Sequence, residues 1–181
     1  MKNTFSYKML QKCSTCEWTK EECITIIETN TQSIYEHGMR GLQRALDEKV
    51  KDANKTCRRC INKDVLITVT RGALVFVDIE CLQWKELATR LGYPDWSGTF
   101  TLSEMSTEIQ FSDGTYKLIA VIEYVGSDNR KEIGHYITHC HRVTGSWETY
   151  DDLNHNKHSI IASARMLLQK KKIAVLFFVK H

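Results

Sequence analysis

Apolar and polar residues alternate most regularly in the last third of the chain. "YKLIAVIEYV" (116–125), "HYITHCH" (135–141) and "SWETY" (146–150) each predict a strand, and "IAVLFFV" (173–179) predicts a strand buried on both faces. Further upstream, "CITIIET" (23–29) is a short β-branched run of strand character. "VLITV" and "ALVFVDI" flank Thr70-Arg71-Gly72 and predict a hairpin or two nearby strands. Over residues 33–50, Ile34, Leu42, Leu46 and Val50 recur at rough helical spacing; Ser33 is a candidate cap, with Glu36 three residues on. Gly38 and Gly41 weaken the first half of that helix. "SIIASARMLLQ" (159–169) suggests a second helix, and residues 82–100, which hold the sole proline, Pro94, read mostly as loop. Strands and helices do not alternate regularly, so the expected class is α+β.

Composition narrows this picture. At 181 residues the chain is one domain or slightly more, with 42% hydrophobic and 26% charged residues. Net charge is +3, from 25 basic and 22 acidic residues, which points to neither a nucleic-acid nor a membrane partner. No apolar run reaches the roughly 18 to 20 residues of a membrane span. The first residues lack the apolar stretch of a secretion signal, so an intracellular setting, cytoplasmic or nuclear, is expected. Seven cysteines in such a setting argue for metal or catalytic thiols rather than disulfides.

Four of those cysteines form two knuckles, Cys13-Ser-Thr-Cys16 and Cys57-Arg-Arg-Cys60. A two-residue spacer lets both sulfurs reach one tetrahedral ion, and two knuckles complete a closed structural zinc (Zn2+) site. Such a site contributes to folding and implies no chemistry of its own. The competing reading is four unrelated reduced thiols. Cys23, between the knuckles, reads as a core residue rather than a ligand.

The chemistry-bearing candidates lie further on. On a strand over 134–141, His135, Ile137, His139 and His141 share one face, and Tyr136, Thr138 and Cys140 the other. Gly134 would leave room beside His135 for a substrate backbone. An antiparallel return through Trp147 and Tyr150 would carry Asp151 to His135, where a carboxylate fixes the imidazole tautomer and frees the other nitrogen as a base. A plain surface or core histidine is the competing reading, and His139 with His141 could instead share a metal.

The segments "YKLIAVIEYVGS", "GHYITHCHR", "WETYDDL" and "AVLFFVK", in that order and behind two CxxC knuckles, resemble the C-terminal part of the ubiquitin-specific protease family. The resemblance covers roughly residues 13–180. It implies a papain-like cysteine protease palm with β-fingers carrying a zinc ribbon, truncated at the N-terminus. The fingers would occupy about 13–62 and the palm with its His box about 63–181. It implies His135 as general base, Asp151 as its orienter, Asp152 as an assisting polar residue, and Gly134 and Tyr136 as walls of the channel for the ubiquitin tail. Cys13, Cys16, Cys57 and Cys60 match the family's zinc ligands. The implied reaction is hydrolysis of the isopeptide bond after ubiquitin's C-terminal Gly-Gly.

The sequence departs from that pattern at the front. Only twelve residues precede Cys13, none of them cysteine, so the thumb with its nucleophile box is missing. Cys140 should face away from His135, Cys81 follows a strand placed elsewhere, and Cys23 belongs to the fingers. The expectation is a base and orienter without a nucleophile in this chain. Two functions follow: part of a deubiquitinase completed by another segment or chain, or an inactive module binding ubiquitin or another protein through its zinc ribbon. In either case the exposed palm face should make the isolated chain associate or lose solubility.

Overall fold

The computed structural model describes residues 7–51, 56–61, 63–79, 89–92, 98–126, 134–153 and 160–181. Most of the expected loop at 82–100, with Pro94, and Cys81 lie outside the described residues.

Two sheets organise the chain. The smaller has three strands in the order β2-β1-β4, formed by β1 (Tyr7–Cys13), β2 (Thr19–Ile24) and β4 (Val65–Arg71), all antiparallel. The larger runs β10-β9-β8-β7-β11-β5-β3, with β6 added alongside β7. Its members are β3 (Ile26–Glu28), β5 (Leu74–Asp78), β6 (Glu108–Phe111), β7 (Gly114–Val125), β8 (His135–His141), β9 (Trp147–Tyr150), β10 (Ile160–Ile161) and β11 (Lys172–Lys180). The pairing of β3 with β5 is parallel. The apolar run at 173–179 is accordingly an interior strand, flanked by β7 and β5.

Local chemistry explains where the elements differ from the pattern-based expectation. The helix expected over 33–50 starts earlier and breaks once. Asn30, not Ser33, caps α1 (Thr31–His37) by accepting from the Gln32 N–H, while the Ser33 hydroxyl donates to Glu48. Gly38, at φ +63°, ends α1, a 3-10 turn covers Gly38–Gly41, and α2 (Leu42–Lys51) resumes. The β4–β5 segment is not a hairpin: β4 pairs only with β1, and β5 pairs with β11 and β3, so the chain changes sheets at Arg71–Leu74. The expected second helix is instead the two-residue β10 and one turn, α3 (Ala164–Leu167), capped by the Ser163 hydroxyl.

The main core lies between the helices and the larger sheet. Ile34, Leu42 and Leu46 pack with Val75, Val77, Leu176 and Phe178, all buried. Each such side chain contributes about 1.5–3 kcal/mol of burial free energy. A second cluster, Cys13, Cys57 and Val65 with Trp18 and Ile67 against it, sits in the smaller sheet. Arg71 fastens the two sheets: its guanidinium lies 3.7 Å from the Phe111 ring and bonds Asp113 at 3.2 Å. The other Asp113 oxygen accepts from Tyr116. Among the described residues, no helix is long and apolar enough to cross a membrane.

Candidate active site and metal centre

The strand alternation places His135, Ile137 and His139 on one face of β8, and β9 runs back beside them with Thr149 opposite His139. Asp151 follows β9 directly. His135 Nε2 lies 2.7 Å from Asp151 Oδ1, a donor–acceptor pair separated by 16 residues in sequence. The same oxygen accepts from the Leu153 backbone N–H at 3.1 Å, which pins the carboxylate at the strand end. Asp152 Oδ1 stands 3.5 Å from His135 Nε2 on a side chain that is 86% exposed. With Nε2 donating to Asp151, Nδ1 keeps its lone pair, and it has no hydrogen-bond partner among the described residues. An imidazole held in this way by a carboxylate has the geometry that a general base requires.

Gly134 and Tyr136 frame this histidine. A Cβ on Gly134 would fall 2.0 Å from the ring of Tyr124, so the space opened by the glycine is taken by that tyrosine and not left for a substrate backbone. Tyr124 also packs against Tyr136, with ring centroids 5.4 Å apart. Tyr136 itself is half exposed, on the face opposite His135 by the strand alternation.

No thiol among the described residues joins the His135–Asp151–Asp152 group. Cys140 is five residues along β8, roughly 17 Å away at strand rise. Burial pushes its thiol up, so it is held as the neutral thiol. Cys23 is exposed on β2, which corrects its expected core position. The alternative metal pair loses one ligand: both ring nitrogens of His139 are engaged, Nε2 with Glu123 at 2.8 Å and Nδ1 with Thr149 at 2.9 Å.

The four knuckle cysteines converge. Their sulfurs all lie within 4.8 Å of one another, with Cys13–Cys60 and Cys16–Cys57 at 3.6 Å. Tetrahedral zinc with bonds of about 2.3 Å requires sulfur separations of about 3.8 Å, so the four donors fit a metal ion with little movement. The knuckles are built alike. Cys13 Sγ accepts from the Thr15 N–H and Cys57 Sγ from the Arg59 N–H, each at 3.4 Å. The residue after each knuckle, Glu17 or Ile61, takes a left-handed conformation, φ 57° and 60°. The thiols titrate as one set. The Thr15 N–H leads in drawing Cys13 down to about 6. Burial would raise Cys57, but N–H groups and neighbouring thiols bring it below the usual value. The Trp18 N–H favours the Cys16 thiolate, yet burial and the other three thiols drive it up to about 12. A cation bound among the four sulfurs would favour the thiolate form of each.

A polar chain that the sequence reading overlooked crosses the larger sheet. Thr149, His139, Glu123 and Lys171 bond in succession, the last at 3.0 Å. The available signal was Glu123, the one acidic residue inside "YKLIAVIEYV".

Comparison with known proteins fits these features. The family model described as ubiquitin carboxyl-terminal hydrolase matches residues 20–178. The Drosophila melanogaster "120.7 kDa protein in NOF-FB transposable element" is 33% identical over 108 residues, 60% of this chain and 10% of that protein. The solved SAGA Ubp8/Sgf11/Sus1/Sgf73 DUB module superposes with a TM-score of 0.52 at 15% identity, over 98% of this chain and 38% of that one. An essential yeast splicing factor gives 0.49 at 12% identity, over 97% and 42%. The chain thus spans a tenth of the curated relative and less than half of each structure. With that family model covering most of its length, the chain belongs to the ubiquitin carboxyl-terminal hydrolase family.

Proposed function

We propose that this chain supplies the base-bearing half of a thiol-dependent ubiquitin hydrolase. The observation that carries the reading is the 2.7 Å contact of His135 with Asp151, which leaves Nδ1 as the free acceptor. His135 Nδ1 would take the proton of an attacking thiol, and Asp151 would stabilise the resulting imidazolium. The thiolate adds to the carbonyl carbon of ubiquitin's last glycine. The imidazolium returns its proton to the departing amine, leaving a thioester. Water then attacks the thioester, losing a proton to Nδ1, and the thiol is restored. Asp152 supports the charged ring from outside. Tyr136 and the Gly134 backbone form the channel wall for the ubiquitin tail, with Tyr124 holding that wall in place. The attacking thiol comes from a segment or chain other than the described residues.

The second reading is a ubiquitin-binding module without hydrolysis. It is favoured by the same lack of a described thiol near His135. In both readings the four cysteines hold Zn2+, which cross-links the two knuckles and leaves the chemistry to the palm.

Titration of 15N-labelled ubiquitin with the chain tests the shared core. Shift changes at the ubiquitin C-terminal tail, weakened about tenfold or more by Tyr136→Ala, are expected. An unperturbed ubiquitin spectrum at millimolar chain would sink both readings. Hydrolysis of a ubiquitin C-terminal amide that disappears in His135→Ala would select the first.

A further inference from the structure

Asp151 lies beyond the last ladder pair of β8 and β9, Thr138 with Tyr150. Its meeting with His135 therefore depends on what fixes β9 lengthwise. β9 has only four residues, and its other neighbour, β10, has two. A slip of one residue would turn Trp147 and Thr149 outward and is excluded by the core. A slip of two keeps the faces and would carry Asp151 roughly 7 Å along the sheet. Side chains that recognise Thr149 itself must exclude that slip.

His139 does this. It is almost wholly buried, on the same face as His135, and its Nδ1 accepts from the Thr149 hydroxyl at 2.9 Å. Its Nε2–H donates to Glu123 of β7, and Glu123 also accepts from Lys171, whose backbone is bridged to Phe100. Four adjacent strands, or the residue leading into one, each give one group. Among the described residues, the charged or titratable groups bonded to Glu123 are His139 and Lys171. Of the positions two away along β9, Asp151 is an acceptor-only carboxylate that has no proton to give Nδ1, and Trp147 would put a bulky indole where the small hydroxyl of Thr149 now stands.

We propose that the Thr149–His139–Glu123–Lys171 chain is a positioning device: it sets the offset of β9 against β8 so that Asp151 falls at His135 Nε2. The inference takes the role of the His135–Asp151 pair from the reading above. Its test reads the geometry of that pair, so it stands or falls apart from ubiquitin binding.

The readout is the His135 Nε2 proton in 1H–15N spectra of the full chain. Its exchange with water is scaled between wild type and Asp151→Ala. Thr149→Val keeps the β-branched shape and removes the hydroxyl. It should speed exchange about fivefold or more, the size expected for one displaced hydrogen bond, and Thr149→Ser should restore the slow rate. Glu123→Gln, a milder change, should give an intermediate rate and decides the matter if Thr149→Val does not fold. Val77→Ala, in the core away from this chain of bonds, should leave the rate unchanged. Wild-type exchange in folded Thr149→Val or in Glu123→Gln overturns the proposal, as does equal acceleration in Val77→Ala.

Discussion

Ile61 is a β-branched residue held at φ 60°, a conformation that costs L-residues about 1–2 kcal/mol, and it is exposed. Ile61→Gly should relieve that strain and raise stability by about 1 kcal/mol, read as a higher denaturant midpoint at constant slope. A lower midpoint would mean that the exposed side chain packs in some way its position does not suggest. Lys171 presents the opposite case, a buried cation with one carboxylate partner. Lys171→Met should cost about 3 kcal/mol near neutral pH, because Glu123 is left buried with only His139. The pH dependence follows from Glu123. Burial alone would raise its pKa, but the bonds from His139 and Lys171 bring it below the ordinary value of 4.5. A depressed folded-state pKa stabilises the fold above about 4.5, and that share is lost as pH falls through the depressed value. The acid limb of a stability–pH curve should therefore be shallower in Lys171→Met than in wild type.

At the scale of elements, the strands announced themselves and their partners did not. Alternation in 116–125, 135–141 and 146–150 marked β7, β8 and β9, and the apolar run marked β11, because periodicity reports which face meets the core. It says nothing about which strand lies alongside, so β4 and β5 read as neighbours yet belong to different sheets. The helix cap was misplaced because Ser33 spends its hydroxyl on Glu48, fifteen residues away. The His135–Asp151 contact was legible because a short hairpin leaves few ways for the chain to return. The use of Gly134 was not, since only the folded sheet shows Tyr124 lying across it. Gly134→Ala should destabilise by about 1–3 kcal/mol through overpacking. Tyr124→Leu in the same chain should recover part of the loss, which a double-mutant cycle of unfolding free energies would show as coupling. Strict additivity would separate the two residues. Another element-level detail is the free edge of β6, where the Gln43 amide bonds both the N–H and the C=O of Gln110, as a neighbouring strand would.

Across the whole molecule, the two sheets depend on different things. The larger has the main core; the smaller has a slight apolar cluster that includes two of the knuckle cysteines. Removing metal with a chelator should therefore loosen β1, β2 and β4 while β7, β8 and β11 keep slow amide exchange. Uniform loss of protection would mean that the Arg71–Asp113 fastening makes the sheets one cooperative unit.

The spacing of the knuckles bears on the order in which the chain assembles. Cys16 and Cys57 are 41 residues apart, and β2, β3, α1 and α2 lie inside the loop they close. Closing a loop of that length removes about 3–4 kcal/mol of entropy from the unfolded ensemble. An ion captured early joins the two ends of this segment beside β1 and β4 before the larger sheet exists, and refolding should quicken with metal present. If capture comes last, metal leaves the refolding rate alone and slows only unfolding.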